Sequence, residues 1–358
     1  MRVLVGLSGG VDSSVVACLL KEQGHEVIGA TMSIFDKDSL LNVKNQKGGC
    51  FSPHQEEDIK LAKALCDKLD IEYHVIDCTK QYRKIVLENF KQEYLSGRTP
   101  NPCVICNSKI KFDALPMGAH NVGIAFDKFA TGHYANILYN DETKRYMLKR
   151  GVDYKKDQSY FLYQLSQEQL SKILMPLGGI SKEDVRKIAK KYELEVSDRV
   201  DSQDFYNGDI NDIIQAEPKE GNFVDKNGKI LGTHLGIWNF TIGQRRGLGI
   251  SADRPLYVIG LDKEKNEVML GYVEDGAVRE ILATNIKWLS VSNIPSRSYI
   301  KVKVRSSQDP IDAEFISKDN DTAIIRFNEE QRAIASGQSV VFYDDNDYVL
   351  GGGLIEAI

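Results

Sequence analysis

The feature that most constrains this chain is a glycine-rich turn between a predicted strand and a predicted helix near its beginning. Residues 6–14 read Gly-Leu-Ser-Gly-Gly-Val-Asp-Ser-Ser, after the apolar run 1–5 and before the apolar-periodic stretch 15–20. A strand that stops at small residues and re-enters as a helix directs several free backbone N–H groups, and the positive end of the helix dipole, at one point. That point suits a phosphate group.

The turn is not the phosphate-binding pattern of common nucleotide hydrolases, because no Gly-Lys-Ser or Gly-Lys-Thr follows it. A generic strand-to-helix glycine turn is the alternative, but two hydroxyl groups and an acid are interleaved with the glycines at the helix start. Residues 8–13, Ser-Gly-Gly-Val-Asp-Ser, instead resemble the pyrophosphate loop (PP-loop) of ATP pyrophosphatases. Enzymes of that class adenylate a carbonyl oxygen and release pyrophosphate.

Length and composition predict a multidomain globular protein. With 358 residues the chain exceeds one ordinary core, and its 42% hydrophobic and 27% charged content is typical of soluble proteins. No apolar run approaches the ~20 residues that span a bilayer, and no signal-peptide pattern precedes the first strand, which predicts a cytoplasmic protein without membrane partners. The net charge of −5 argues against indiscriminate nucleic-acid binding, although it permits a local basic face.

The order of predicted elements indicates an α/β fold. Strands alternate with helical patterns through the first two hundred residues, which predicts a doubly wound, mostly parallel sheet of the PP-loop type with ligands at the carboxyl edge. Helices are predicted at 82–95, 167–174 and 182–192, the last with Ser181 as its N-cap. Short β-rich runs follow. We therefore expect a catalytic domain at 1–204, a small central β-rich domain at 205–276 and a β-barrel-like domain at 277–358.

Cysteine usage points to sulfur chemistry rather than to disulfides. Cys18 and Cys66 lie on apolar helix faces and are expected to pack there. Cys103 and Cys106 form a Cys-x-x-Cys pair after two prolines, which we expect to exclude a helix through Cys103 and to leave a loop entering a helix. A thiol at a helix start beside Lys109 and Lys111 would have a lowered pKa and act as a nucleophile. The alternative is half of a zinc site, but no second Cys-x-x-Cys or His pair is present.

With these motifs in view, the whole chain resembles the tRNA-specific 2-thiouridylases, which convert the wobble uridine of certain tRNAs to 2-thiouridine. The matching segments are 6–13, 99–107, 131–135, 156–162, 241–249, 337–343 and 351–355. The resemblance implies three domains, ATP with Mg²⁺, a tRNA partner and a protein that delivers persulfide sulfur.

The resemblance also implies residue roles. ATP would be held by Gly6, Leu7, Ser8, Gly9, Gly10, Val11, Asp12 and Ser13, with Met32 and Gly132 lining the adenine pocket. Asp12 would help to bind magnesium. The tRNA would be contacted by His133, Lys156, Asp157, Gln158, Arg305 and Gln338. The uridine must leave the base stack, because its C2 atom has to lie between the α-phosphate and the sulfur.

The chain departs from the family at the second cysteine. Cys106 takes the position of the family's persulfide carrier or first nucleophile, but Tyr206 occupies the position of the second cysteine, after Asp201-Ser-Gln-Asp. A phenol can neither carry a persulfide nor close a disulfide. We expect Cys103 to take over resolution, since Cys-x-x-Cys spacing allows a disulfide. The alternative is an iron–sulfur cluster on Cys103, Cys106 and Cys50, which the presence of Tyr206 disfavours.

Two other functions remain open from the sequence. An amide-forming ligase of the ATP pyrophosphatase class would share the first loop but would have no use for Cys106 or the β-rich domains. A paralogue that binds tRNA without modifying it could have lost the second cysteine. Retention of the complete loop and of Cys106 favours the enzyme.

Overall fold

The apolar strands of the N-terminal part form one five-stranded sheet, as the alternation of strands and helices predicts. The computed structural model of the chain describes residues 1–35, 49–197, 199 and 205–356. The sheet has the order β3-β2-β1-β4-β7, and all of its strand pairs are parallel. A separate hairpin contains β5 and β6. The strands are β1 (Arg2–Gly6), β2 (Glu26–Ser33), β3 (Glu72–Asp77), β4 (Lys128–Ala130), β5 (Ala135–Asn140), β6 (Arg145–Arg150) and β7 (Ile173–Leu174).

Helices cover both faces of this sheet. Successive residues of β1 alternate between two cores, with Val3 and Val5 in one and Leu4 in the other. The helices are α1 (Val11–Glu22), α2 (Gln55–Leu69), α3 (Thr79–Tyr82), α4 (Glu88–Leu95), α5 (Pro102–Cys106), α6 (Leu115–Asn121), α7 (Gln167–Lys172), α8 (Lys182–Lys191) and α9 (Asn211–Ile214). Two π-helical segments, Arg83–Leu87 and Asn107–Ala114, join α3 to α4 and α5 to α6.

The strand order places the glycine-rich turn at a favoured binding position. From β1 the sheet continues through β2 and β3 on one side and through β4 and β7 on the other. The carboxyl end of β1 therefore lies where the winding reverses, which is where doubly wound sheets bind ligands. The predicted fold class is confirmed here.

Two β-rich units follow, also as predicted. The first is a four-stranded sheet in the order β10-β11-β8-β9, and the second is a closed barrel in the order β12-β15-β14-β13-β16-β17. Their strands are β8 (Gly221–Asp225), β9 (Ile230–His234), β10 (Tyr257–Asp262), β11 (Glu267–Gly271), β12 (Ala277–Trp288), β13 (Arg297–Lys303), β14 (Ile311–Ser317), β15 (Ala323–Arg332), β16 (Ser339–Tyr343) and β17 (Val349–Glu356). Within the described residues, no helix has the length and apolar character that crossing a membrane requires.

Two helix predictions need correction. Residues 173–174 are not the end of a helix, because they form β7 and pair with Phe129 and Ala130 at the sheet edge. Two residues are too few to establish a helical period, so the edge hydrogen bonds decide their conformation. The predicted helix at 82–95 is helical throughout but contains the π-helical segment Arg83–Leu87.

Candidate active site

The glycine-rich turn, hereafter the glycine loop (residues 6–14), ends in a helix start suited to an anion. Gly9 has a φ of +69°, and a Cβ atom there would lie 2.7 Å from the carbonyl oxygen of Asp58, so glycine is required. The N-cap of α1 is Gly10, which offers no side-chain cap. Ser13 Oγ accepts a hydrogen bond from the Ser8 N–H at 3.1 Å and fixes the turn. The backbone N–H groups of the first turn of α1 are therefore left for an anion.

Asp12 is held in place by two partners that the sequence motifs do not reveal. Its carboxylate accepts hydrogen bonds from Lys182 Nζ at 2.7 and 2.8 Å and from the Tyr134 hydroxyl at 2.8 Å. Lys182 is buried and is the first residue of α8. The sequence signalled the N-cap Ser181 correctly but gave no reason to single out the lysine beside it. Tyr134 lies inside the matched segment 131–135, so it could have been identified.

The expectation that Asp12 is a magnesium ligand stays a prediction, and in the structure its carboxylate is paired with a lysine. Both oxygens of its carboxylate already accept hydrogen bonds from the Lys182 ammonium group. The buried ammonium group of Lys182 therefore places a positive charge next to the glycine loop.

Other predicted nucleotide-binding residues lie around the same edge. A Cβ atom on Gly132 would lie 3.0 Å from the Ser13 backbone nitrogen, so the absence of a side chain allows this segment to contact the start of α1. Met32 lies near the carboxyl end of β2, and its carbonyl oxygen accepts a hydrogen bond from Gln55 Nε2 at 2.8 Å. Arg199, which the motifs did not reveal, donates a hydrogen bond to the Gly9 carbonyl oxygen at 2.8 Å.

The two cysteines of the pair lie within a helix, which corrects the expected loop. Pro102 occupies the first turn of α5, where a missing N–H is tolerated, and the helix continues through Cys103 to Cys106. Cys106 is therefore the last residue of α5 before the π-helical segment Asn107–Ala114, inside a longer helical stretch and not at its start.

The expected lowering of the Cys106 pKa is also wrong. Burial raises the pKa of the Cys106 thiol to about 12, and the positive charge of Lys111 only partly opposes this effect. The side chain of Cys106 is buried, whereas Cys103 is half-buried. Desolvation outweighs the nearby lysine because a thiolate loses its hydration in the protein interior.

A third thiol lies in the same neighbourhood. The Phe51 N–H donates to the Phe205 carbonyl oxygen at 3.1 Å, and the Cys50 thiol approaches the same oxygen at 3.7 Å. Cys50 is exposed and lies beside the position that the family gives to its second cysteine. Tyr206, which occupies that position, donates its hydroxyl to Asp212 at 2.5 Å. Residues 201–204, used to locate Tyr206 by resemblance, lie outside the described residues.

His133 lies between the start of α1 and the π-helical segment that follows Cys106. It follows Gly132, its Nδ1 lies 2.8 Å from the Thr131 hydroxyl oxygen, and its ring lies 5.3 Å from that of Phe112. Burial holds the pKa of His133 well below its usual value, and the charge of Lys111 adds to this effect. His133 is therefore neutral at pH 7. The positive charge of Lys111 acts on both His133 and Cys106, and it lowers the pKa of each.

The remaining predicted tRNA-binding residues are found in different environments. Asp157 is buried and accepts hydrogen bonds from Arg150 Nε at 3.1 Å and from the Ser159 hydroxyl at 3.0 Å. Gln158 accepts a hydrogen bond from the Tyr134 N–H at 3.0 Å, and the neighbouring Lys156 is half-buried. Asp157 thus has its hydrogen-bond partners inside the protein.

Two of the predicted tRNA-binding residues belong to the barrel. Gln338 donates hydrogen bonds to the carbonyl oxygens of Thr99 and Pro100, at 3.2 and 2.8 Å, and so ties the barrel to the segment that precedes α5. Arg305 is exposed, and its guanidinium donates to the Arg332 carbonyl oxygen. The structure therefore brings Gln338 to the cysteine segment and leaves Arg305 on the barrel surface.

Comparison with known proteins gives matches over all three units. Residues 1–206 match the family described as tRNA methyl transferase HUP domain, 210–272 the tRNA methyl transferase PRC-barrel domain, and 278–355 the aminomethyltransferase beta-barrel domain. The tRNA-specific 2-thiouridylase MnmA of Endomicrobium trichonymphae is 47% identical over 99% of both chains. The protein of that name from Clostridium botulinum strain Eklund 17B is 46% identical over 100% of this chain and 98% of its own.

Among solved structures the likeness is weaker. The NMN synthetase of Francisella tularensis aligns at 18% identity with 58% of this chain and 68% of its own, with a TM-score of 0.34. A likeness at that level supports no conclusion about activity.

Proposed function

The chain belongs to the family of tRNA-specific 2-thiouridylases, and we propose that it adenylates the C2 oxygen of the wobble uridine with ATP and then transfers sulfur through Cys106. It is an ATP-dependent tRNA sulfurtransferase. The observation that best supports the route through Cys106 is the position of Gly132 and His133: Gly132 lies against the start of α1, and the His133 ring packs on Phe112, in the π-helical segment that directly follows Cys106.

The first step takes place at the glycine loop. The uridine O2 attacks the α-phosphorus of ATP, the bond to the β-phosphate oxygen breaks, and the N3 proton is released. Free N–H groups at the start of α1 stabilise the negative charge on the phosphates, and the neighbouring Lys182 adds a buried positive charge. Asp12 positions that ammonium through its two hydrogen bonds. The products are the O2-adenylate and pyrophosphate.

The second step uses a persulfide on Cys106. Its outer sulfur attacks C2, and AMP leaves with the electron pair of the C2–O bond, which gives a mixed disulfide between Cys106 and the base. The Cys103 thiolate then attacks Cys106 Sγ, and the sulfur on C2 keeps the electron pair of the broken S–S bond. Protonation at N3 yields 2-thiouridine. A thiol reductant must reduce the Cys103–Cys106 disulfide before the next turnover.

The raised pKa of Cys106 is compatible with this sequence of steps. A persulfide is a stronger acid than the corresponding thiol, so the sulfur carried by Cys106 ionises more readily than Cys106 itself. The buried Cys106 thiol, whose pKa is about 12, is mostly protonated at neutral pH, so only its small thiolate fraction attacks the donor, and the persulfide formed there is the more readily ionised nucleophile. We propose that a separate protein delivers the persulfide, because the exposed Cys50 and half-buried Cys103 give access to this region. We also propose a cytoplasmic location, where the tRNA substrate is found.

The activity is tested by nucleoside analysis. The wild-type protein is incubated with an unmodified tRNA transcript, ATP and inorganic polysulfide, and the digested tRNA is examined by mass spectrometry. We expect 2-thiouridine at the wobble position, together with equal amounts of AMP and pyrophosphate, only when ATP is present. A protein that binds the tRNA but forms no thiolated nucleoside would support the non-catalytic alternative.

Replacing Cys103 with serine separates the two halves of the sulfur step. We expect Cys103→Ser preloaded with persulfide to transfer sulfur to the base once but to remain joined to the tRNA as the mixed disulfide, because a serine hydroxyl cannot resolve it. Release of 2-thiouridine over repeated turnovers should therefore fall at least about 10-fold. The measurement is 2-thiouridine formed per enzyme over time with reductant present. Cys66→Ala, which removes a packed thiol in a different core, is the matched control. Unchanged multiple turnover in Cys103→Ser would contradict the relay.

The iron and sulfide content of the purified protein distinguishes the iron–sulfur alternative from the relay. Protein purified without oxygen is assayed for iron and acid-labile sulfide. The relay requires neither, so a colourless, fully active preparation is expected. Stoichiometric iron whose removal abolishes activity would favour a cluster on Cys50, Cys103 and Cys106.

A further inference from the structure

Tyr82 has a buried hydroxyl group that makes no hydrogen bond within the described part of the fold. Its side chain is 0% exposed, and among the described residues the hydroxyl has no hydrogen-bond partner. Such a group is rare in proteins because it loses its hydrogen bonds to water and gains none in return. The ring cannot easily turn away, since it stacks on Phe51 with a centroid distance of 5.6 Å and also contacts Phe205 at 6.5 Å.

The surroundings of this hydroxyl contain the three thiols described above. Burial raises the pKa of Tyr82 well above its usual value, and Cys50, Cys106 and Cys103 add to the increase in that order. Tyr82 therefore remains protonated at any physiological pH and can act as an O–H donor. Tyr82 and Cys106 also belong to one hydrophobic core, against which Cys103 packs.

Tyr82 and Cys106 occupy the same kind of position in the backbone, directly before a π-helical segment. Tyr82 is the last residue of α3 and Cys106 the last residue of α5, and each is followed directly by a π-helical segment. Helix α5 packs against the segment Arg83–Leu87 that follows Tyr82. Segments of π-helical geometry are uncommon, and they are found frequently at functional sites.

We propose that the Tyr82 hydroxyl donates a hydrogen bond to the outer sulfur of the persulfide anion on Cys106 and holds it for attack on the base. This inference rests on the proposed function and adds a residue to the same site. No proton is transferred, since the hydroxyl keeps its hydrogen while the sulfur attacks C2 and AMP leaves. A neutral donor suits this task because it stabilises the anion and leaves its charge available for attack.

The charged and titratable groups around the persulfide fix the direction of the expected pH effect. Those that act on Cys106 are Lys111, which lowers its pKa, and Cys50, Cys103 and Cys78, which raise it. A hydrogen bond from Tyr82 favours the anionic persulfide and lowers its pKa further. Removing the hydroxyl should therefore raise the pH at which the persulfide ionises.

The test uses Tyr82→Phe in the full chain, loaded on Cys106 with inorganic polysulfide. We expect single-turnover formation of 2-thiouridine to slow by roughly 10- to 100-fold, the range for losing a hydrogen bond to a charged group. The pH midpoint for alkylation of the persulfide should rise by about one unit or more. Thermal stability should be unchanged or higher, because the variant removes a buried polar atom without a partner.

Tyr163→Phe is the matched control, since it also removes one buried hydroxyl. That hydroxyl accepts a hydrogen bond from Ser339 Oγ at 3.3 Å, so its loss should lower thermal stability and leave sulfur transfer unchanged. If the wild type thiolates tRNA and Tyr82→Phe does so at the same rate and with the same alkylation midpoint, the inference fails and the proposed function stands. If the loaded wild type forms no 2-thiouridine, the proposed function fails first.

Discussion

Replacing Cys106 with serine is expected to abolish sulfur transfer while leaving adenylation intact. The hydroxyl of serine cannot carry a persulfide, and at neutral pH it is far less nucleophilic than a thiolate, so 2-thiouridine formation should fall at least about 1,000-fold. The glycine loop and the Asp12–Lys182 pair remain unchanged in this variant. Release of pyrophosphate that depends on tRNA and ATP should therefore persist for one turnover. The two products are measured in the same reaction.

The Cys106→Ser variant also distinguishes sulfur transfer from a Cys106 persulfide from direct attack by free sulfide. Cys66→Ala serves as the control, because that thiol is buried beside α1 in a core away from Cys106. It should keep both adenylation and sulfur transfer. A Cys106→Ser protein that forms 2-thiouridine from polysulfide at the wild-type rate would show that free sulfide attacks the adenylate directly, and the route through Cys106 would be wrong.

The second large effect is expected on stability, from Asp157→Asn. The Asp157 carboxylate is the buried counter-ion of Arg150, at 3.1 Å, and of Lys303 on the barrel strand β13, at 3.7 Å. Removing its charge leaves two cations buried with too little compensation, which typically destabilises a protein by about 3–5 kcal/mol. The measurement is urea-induced unfolding followed by tryptophan fluorescence. The loss of stability should be seen in the protein alone, without tRNA.

The stability of the Asp157→Asn variant should increase with pH, because of Lys303. Burial lowers the pKa of Lys303, and Asp157 opposes that shift. Without Asp157 the folded protein binds fewer protons at Lys303 than the unfolded chain does. Stability should therefore rise with pH from the lowered pKa up to the usual lysine value of about 10.4.

Asp347→Asn is the control for the Asp157 variant. Asp347 accepts a hydrogen bond from the same arginine, at 3.2 Å, but its side chain is 27% exposed, so water replaces much of what is lost. Its effect should be at most about 1 kcal/mol. If Asp157→Asn unfolds like the wild type but binds tRNA more weakly, then Asp157 contacts the tRNA, as the family resemblance implies, and is not the internal link described here.

Part of the candidate site could be predicted because the signal is local. The glycine loop is recognised from Gly9 and Gly10 between an apolar run and a helix, since both the turn and the helix start depend on consecutive residues. The packing of Cys18 and Cys66 could be inferred from helical periodicity, and the structure confirms it. The pKa of Cys106 could not be predicted in this way. The lysines nearby in sequence suggested a lowered value, whereas burial by distant segments raises it.

The sequence by itself determined the α/β order, the β-rich remainder, the glycine loop and the Cys-x-x-Cys pair, because each is encoded in neighbouring residues or in a short period. Only the tertiary structure decided that Lys182 neutralises Asp12 across 170 positions, that Cys50 lies beside Phe205, and that Tyr82 is buried among three thiols. These relations depend on which distant segments share a core. Desolvation and unpaired hydrogen-bond donors arise only when those segments pack together.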